Sequence, residues 1–136
     1  MPVFRDAAAL ERHLKKAMNS LVAEVLITTQ AELGSSKVSP IDSGRLRSSW
    51  FATEGTPSNE VAPEGADNPN SDAGELVVLS ENTYYLTNSL PYAQSVAIEG
   101  KVVSKPANWF IDFVNTRIPK IQEAASRVIA KRFEVE

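Results

Sequence analysis

Between Ala7 and Leu33 apolar residues recur at three- and four-residue intervals over roughly seven turns. Leu10, Leu14, Ala17, Leu21, Val25 and Thr28 form the stripe, and Met18, Val22 and Leu26 widen it. Glu11, Lys15, Lys16, Asn19, Glu24 and Gln30 fall between. Asp6 stands where an N-cap belongs, and Gly34, just past Leu33, where a helix stops. Such a helix is ~40 Å long at about 1.5 Å per residue. A chain of 136 residues folds to a body only about 30 Å across. The rod must therefore lie across a sheet with one end projecting, or pack against a second chain.

The rest of the chain supplies a small sheet and a second helix. Ser39-Pro40-Ile41-Asp42-Ser43-Gly44 is a turn by its chemistry: Pro40 fixes φ, Asp42 can bond its own downstream backbone, and Gly44 permits positive φ. Arg45 to Thr53 reads as a strand, with Leu46, Ser48, Trp50 and Ala52 on one face and Arg45, Arg47, Ser49 and Phe51 on the other. Residues 54–75, rich in Pro, Gly, Asn and acids, read as a long exposed loop inserted between strands. Leu76 to Leu79 reads as a short buried strand, and Thr83 to Asn88 as another. Pro91 to Glu99 fits one or two helical turns ended by Gly100, and Lys101 to Lys105 is extended or looped. Pro106 introduces a helix carrying Phe110, Phe113, Val114, Ile121, Ala125, Val128 and Ile129, which Pro119 should kink or divide after Ile118. The expected fold is a single α+β domain over 1–136, a small antiparallel sheet covered by the long first helix and the Pro-kinked last one.

Composition narrows the function classes. Hydrophobic residues at 43% and charged residues at 23% are ordinary for a water-exposed globular chain, and the absence of Cys excludes disulfides, thiolate metal sites and cysteine nucleophiles. The longest nearly apolar stretch, Leu21 to Ile27, is interrupted by Glu24, so no membrane span is expected. The start of the chain lacks the basic-then-apolar order of a secretory signal, so the expected place is where the chain is made or a particle assembled there. Net charge is -3, and residues 52–82 account for it, with seven acids and no base.

No pattern for catalysis emerges. The lone histidine, His13, sits on the first helix between Arg12 and Leu14, without a partner of catalytic spacing. Nucleophile-elbow, zinc-protease, phosphate-loop and calcium-loop spacings are all missing, and Glu60, Glu64 and Asp67 lack the glycine-turn frame of a calcium site. The chain is expected to be no enzyme and to need no cofactor or metal. Arg45 and Arg47 on one strand face could hold a carboxylate or a phosphate; a protein carboxylate, including one from the acidic loop, fits better than nucleic acid. Trp50 and Trp109 read as core aromatics or, otherwise, as interface anchors.

Three short motifs occur in order. Ser39-Pro40-Ile41-Asp42-Ser43-Gly44-Arg45-Leu46-Arg47-Ser48-Ser49-Trp50 resembles the P-V-D-T-G-x-L-R-x-S signature of the tail-component family of neck, or tail-completion, proteins of tailed bacteriophages. Asn88-Ser89-Leu90-Pro91-Tyr92-Ala93 followed by Ile98-Glu99-Gly100 is similar to that family's N-x-x-P-Y-A and I-E-x-G. Pro106 leading into an aromatic-rich helix holds the corresponding final place. The resemblance covers roughly residues 5–132 and is strongest at Pro40, Asp42, Gly44, Leu46, Arg47, Pro91, Tyr92, Ala93, Glu99 and Gly100. Departures are Ile41, Ser43, the acidic insertion, and Lys101 where an aromatic is usual.

The resemblance implies a structural virion protein at the head–tail junction, assembled in the host cytoplasm as a ring, commonly hexameric, through which DNA passes without specific binding. Its partners would be further copies of itself, the adjacent connector or head-closure protein, and a tail terminator or tail-tube protein. Leu10, Leu14, Leu21, Trp50, Trp109 and Phe113 are the candidate interface residues. Glu60, Glu64 and Asp67 line the DNA channel, where like charge keeps the duplex from sticking, or dock on a basic neighbour, or form a plain solvated loop. Two other readings stand beside this one: a tail terminator or head-closure protein of the same region, and a cellular adaptor or nucleic-acid-binding module.

Overall fold

A computed structural model describes residues 6–35, 44–91, 93 and 109–133. The chain has an α+β fold. Its first helix, α1, runs Ala7–Leu33, the span that the apolar period predicts. The Asp6 carboxylate accepts the Ala9 N–H at 2.8 Å, closing one of the open amides of the first turn. Gly34 ends the helix with ordinary right-handed angles, φ -77°, ψ -8°. Glycine is required there for space: a Cβ would lie 2.8 Å from Cβ of Pro69.

Gly44 has φ +73°, as the turn chemistry predicts, but the strand does not begin there. Arg45–Ser48 forms one helical turn, α2, and β1 spans only Trp50–Glu54. Within the turn Ser48 Oγ donates to Gly44 O and Ser49 Oγ to Arg45 O, both at 2.7 Å, bonds to the carbonyl four residues back that an extended strand could not make. β1 pairs antiparallel with β2, Tyr84–Asn88, from Trp50 opposite Asn88 to Glu54 opposite Tyr84.

Leu76 to Leu79 forms no strand. It is an irregular strap across α1, with Val78 8% exposed and packed on Val22, Ala23 and Leu26, and Val77 82% exposed. Its backbone is satisfied by side chains in place of a ladder: Leu79 N–H donates to Tyr84 Oη at 2.8 Å and Ser80 N–H to Asn19 Oδ1 at 2.7 Å. A short 3₁₀ turn, Asp72–Glu75, precedes it.

The last helical stretch is not divided after Ile118: α3, Trp109–Asp112, widens into π-type turns over Phe113–Arg117, upstream of the proline, and α4 covers Ile118–Arg132 with Pro119 in its first turn. Ile118 N–H reaches back five residues to Phe113 O, one turn before the proline that has no N–H to give. α4 lies antiparallel to α1: Arg117 grips Glu32 with two bonds at one end, and the rings of His13 and Phe133 stand 5.7 Å apart at the other. The hydrogen bond from Glu32, then its charge, holds the Arg117 guanidinium above its ordinary pKa. Between the helices and the two-stranded sheet, Leu33, Leu46, Leu90, Phe113 and Ile121 pack around Trp50 and Trp109, and Trp50 stacks on Phe110 at 5.5 Å. No described helix is long and apolar enough to cross a membrane.

Candidate functional site

Ser89 Oγ donates to Ser58 O at 2.6 Å, and three further groups of contacts pin the acidic segment to the fold, the first beginning at Ser49. Wholly buried, Ser49 donates to Arg45 O and accepts the Ala62 N–H at 3.0 Å, while Arg45 Nε donates to Ala62 O at 2.8 Å. Both polar groups of the Ala62 peptide are thus held by α2 and the residue after it.

The second pin is Arg47. It contacts Asp67 Oδ1 through Nη2 at 2.6 Å and through Nε at 3.0 Å, and also donates to Asp67 O and Gly34 O. The two arginines thus hold a protein carboxylate and carbonyls of their own chain. Gly44 belongs to this pin as well, because a Cβ there would sit 2.0 Å from Asp67 Oδ1.

The third pin is Gln30, 1% exposed on α1. Its Nε2 donates to Trp50 O at 3.0 Å and to Asp72 Oδ1 at 2.5 Å, and its Oε1 accepts Ala73 N–H at 2.9 Å. Asp72 Oδ1 also takes Ala52 N–H at 3.0 Å, so the outer edge of β1 is covered by side chains. Between the pins, Glu60 and Glu64 are exposed beside Val61.

These contacts sort the predicted residues. Gly44, Leu46 and Arg47 come together around Asp67 and the core, and Ala93 packs at the core margin, with Pro91 exposed. Pro40, Asp42, Tyr92, Glu99 and Gly100 lie outside the described residues. Trp50, Trp109 and Phe113 are core residues of this chain, 6% exposed each, and are not surface anchors. Leu21 lines an open trough of about 690 Å³ between α1, β2 and α4, with Val22, Val25, Thr29, Tyr84 and Gln122 among its walls. Leu10 and Leu14 are exposed, as is Met18. Among the described residues no group of three His, Asp or Glu side chains is placed to hold a metal ion.

The sequence reading sets Gln30 among the polar residues between stripes, yet it is the most buried side chain of α1. The signal is its spacing: Val22, Leu26, Gln30 and Leu33 share one helical face, and a polar residue on such a face needs partners. Asp72 carries no comparable signal, being one of seven acids in its segment.

No family model matches the chain, and no curated protein or solved structure matches it.

Proposed function

We propose that this chain is a structural protein of a tailed bacteriophage virion, a ring subunit at the head–tail junction through which the genome passes. The observation that carries the reading is the ordered series of three motifs, from Ser39 to Trp50, Asn88 to Ala93 and Ile98 to Gly100, set between a long first helix and a helix after Pro106. In this chain the first motif serves architecture: Leu46 enters the core, and Gly44, with φ +73°, leaves the space in which Arg47 closes on Asp67 of the inserted acidic segment.

Ring assembly needs faces that the monomer leaves uncovered. The N-terminal half of α1, with Leu10, Leu14 and Met18 on its surface, is such a face. The purified chain should run as a ring-sized species by size exclusion and show a central hole in negative stain, with no salt-dependent affinity for DNA. A monomer that binds DNA with steep salt dependence would replace this reading with a nucleic-acid-binding module.

A further inference from the structure

The two strands differ at their outer edges. Gly55 N–H donates to Thr83 O at 2.9 Å, which continues the ladder past Glu54 opposite Tyr84 and sets its phase. Tyr85 and Thr87 turn their N–H and C=O groups toward β1, and Tyr84, Leu86 and Asn88 turn theirs away. The same phase turns Trp50 and Ala52 outward on β1, where Gln30 takes Trp50 O and Asp72 takes the Ala52 N–H. β2 has no such cover. The outward backbone groups of Tyr84, Leu86 and Asn88 have no hydrogen-bond partner among the described residues.

The trough runs along this open edge. It is lined by Tyr84 and Leu86 of β2, by Gln122 and Ser126 of α4 and by α1 from Leu21 to Thr29, and no residue of β1 borders it. The α1 side is ~12 Å long at about 1.5 Å per residue, the length of about four residues of strand. No charged side chain lines it. A free row of amides and carbonyls fits an extended backbone, and an uncharged, largely apolar trough beside it fits uncharged side chains at alternate positions.

We propose that β2 takes a third strand from a neighbouring protein of the junction, an extended segment that pairs with Tyr84, Leu86 and Asn88 and lays apolar side chains, two residues apart, in the trough. The inference rests on the ring reading for its source and on the ladder for its chemistry. β1 and β2 are the only strands among the described residues, and β1 is covered on both sides, so a second copy has only its own β2 to offer. Two such edges meet about a twofold axis and close a pair, whereas a ring needs a heterologous contact. The third strand therefore comes from a different chain.

Amide exchange read residue by residue on the purified full chain tests this, with an acetylated and amidated Thr-Val-Thr-Val-Thr peptide as the probe. Without peptide, Tyr85 and Thr87 should exchange slowly and Tyr84 and Leu86 fast. The peptide should slow Tyr84 and Leu86 about tenfold, and Thr-Lys-Thr-Lys-Thr should leave them fast. Ser126→Trp, at an exposed position of α4, should fill the trough and abolish the protection with an unchanged unfolding midpoint. Slow exchange at Leu86 in the isolated single chain would overturn the proposal, because the chain then closes its own edge. Slow exchange at Leu86 only in a self-assembled species would overturn it too, by making a second copy the occupant. So would a valine peptide that protects nothing, or a lysine peptide that protects as well. The mass of the purified species judges the ring separately: a single chain whose edge the valine peptide still closes removes the ring reading and leaves the strand site standing.

Discussion

Two neighbouring residues on α1, Thr29 and Gln30, are both buried and polar, and they should respond to substitution with opposite sign. Gln30 satisfies Trp50 O, Asp72 and Ala73 N–H. Its replacement by Ala leaves those groups buried and open, so Gln30→Ala should cost about 3 kcal/mol in urea unfolding. Thr29 Oγ1 is buried without a hydrogen-bond partner among the described residues. Thr29→Val keeps the shape, removes that hydroxyl and should leave stability unchanged or raise it by about 1 kcal/mol. Gly44→Ala combines a left-handed backbone with a Cβ 2.0 Å from Asp67 Oδ1, and should cost about 2–3 kcal/mol by the same measurement. Equal unfolding midpoints for Gly44→Ala and the wild type would show that Asp67 moves aside freely.

At the scale of elements, the acidic segment behaves as a pinned strap. Ser49→Ala removes the acceptor of the buried Ala62 N–H. Amide exchange at Ala62 should accelerate at least tenfold, with α1 amides unchanged, because the opening is local. Arg47→Met should raise proteolytic cutting between residues 55 and 71 while costing about 1 kcal/mol or less globally, since the Asp67 side chain is largely exposed. If cutting stays at the wild-type rate, the remaining pins suffice.

What was legible in the sequence follows the range of the forces involved. α1 was legible because period and caps are local; a disturbance of the last helix near Pro119 was legible too, but it takes the form of π-type turns over Phe113–Arg117 and not of a break after Ile118. The helical turn at Arg45–Ser48 was not, since its residues alternate as a strand would while their serine hydroxyls bond carbonyls four residues back. Leu76–Leu79 misled for a related reason: its apolar run is real, but Tyr84 and Asn19 take the hydrogen bonds a ladder would need. The site was legible at Gly44 and Arg47 and hidden at Gln30 and Asp72, whose partners lie at least twenty residues away in sequence.

Across the whole molecule, the first helix is accompanied by α4 from Glu32 to His13 but is buried only in its second half. Its second half supplies the core, its first half stands on the surface beside α4, and its two ends differ in charge. A subunit shaped this way suits repetition around an axis better than solitary chemistry, and the ring at the head–tail junction is the reading that uses all of these features. The proposal is tested directly by inactivating the gene in a tailed phage that encodes the chain, followed by electron microscopy of the lysate. DNA-filled heads and complete tails should accumulate side by side, unjoined, and purified protein added back should join them. Intact, infectious virions assembled in its absence would contradict the account.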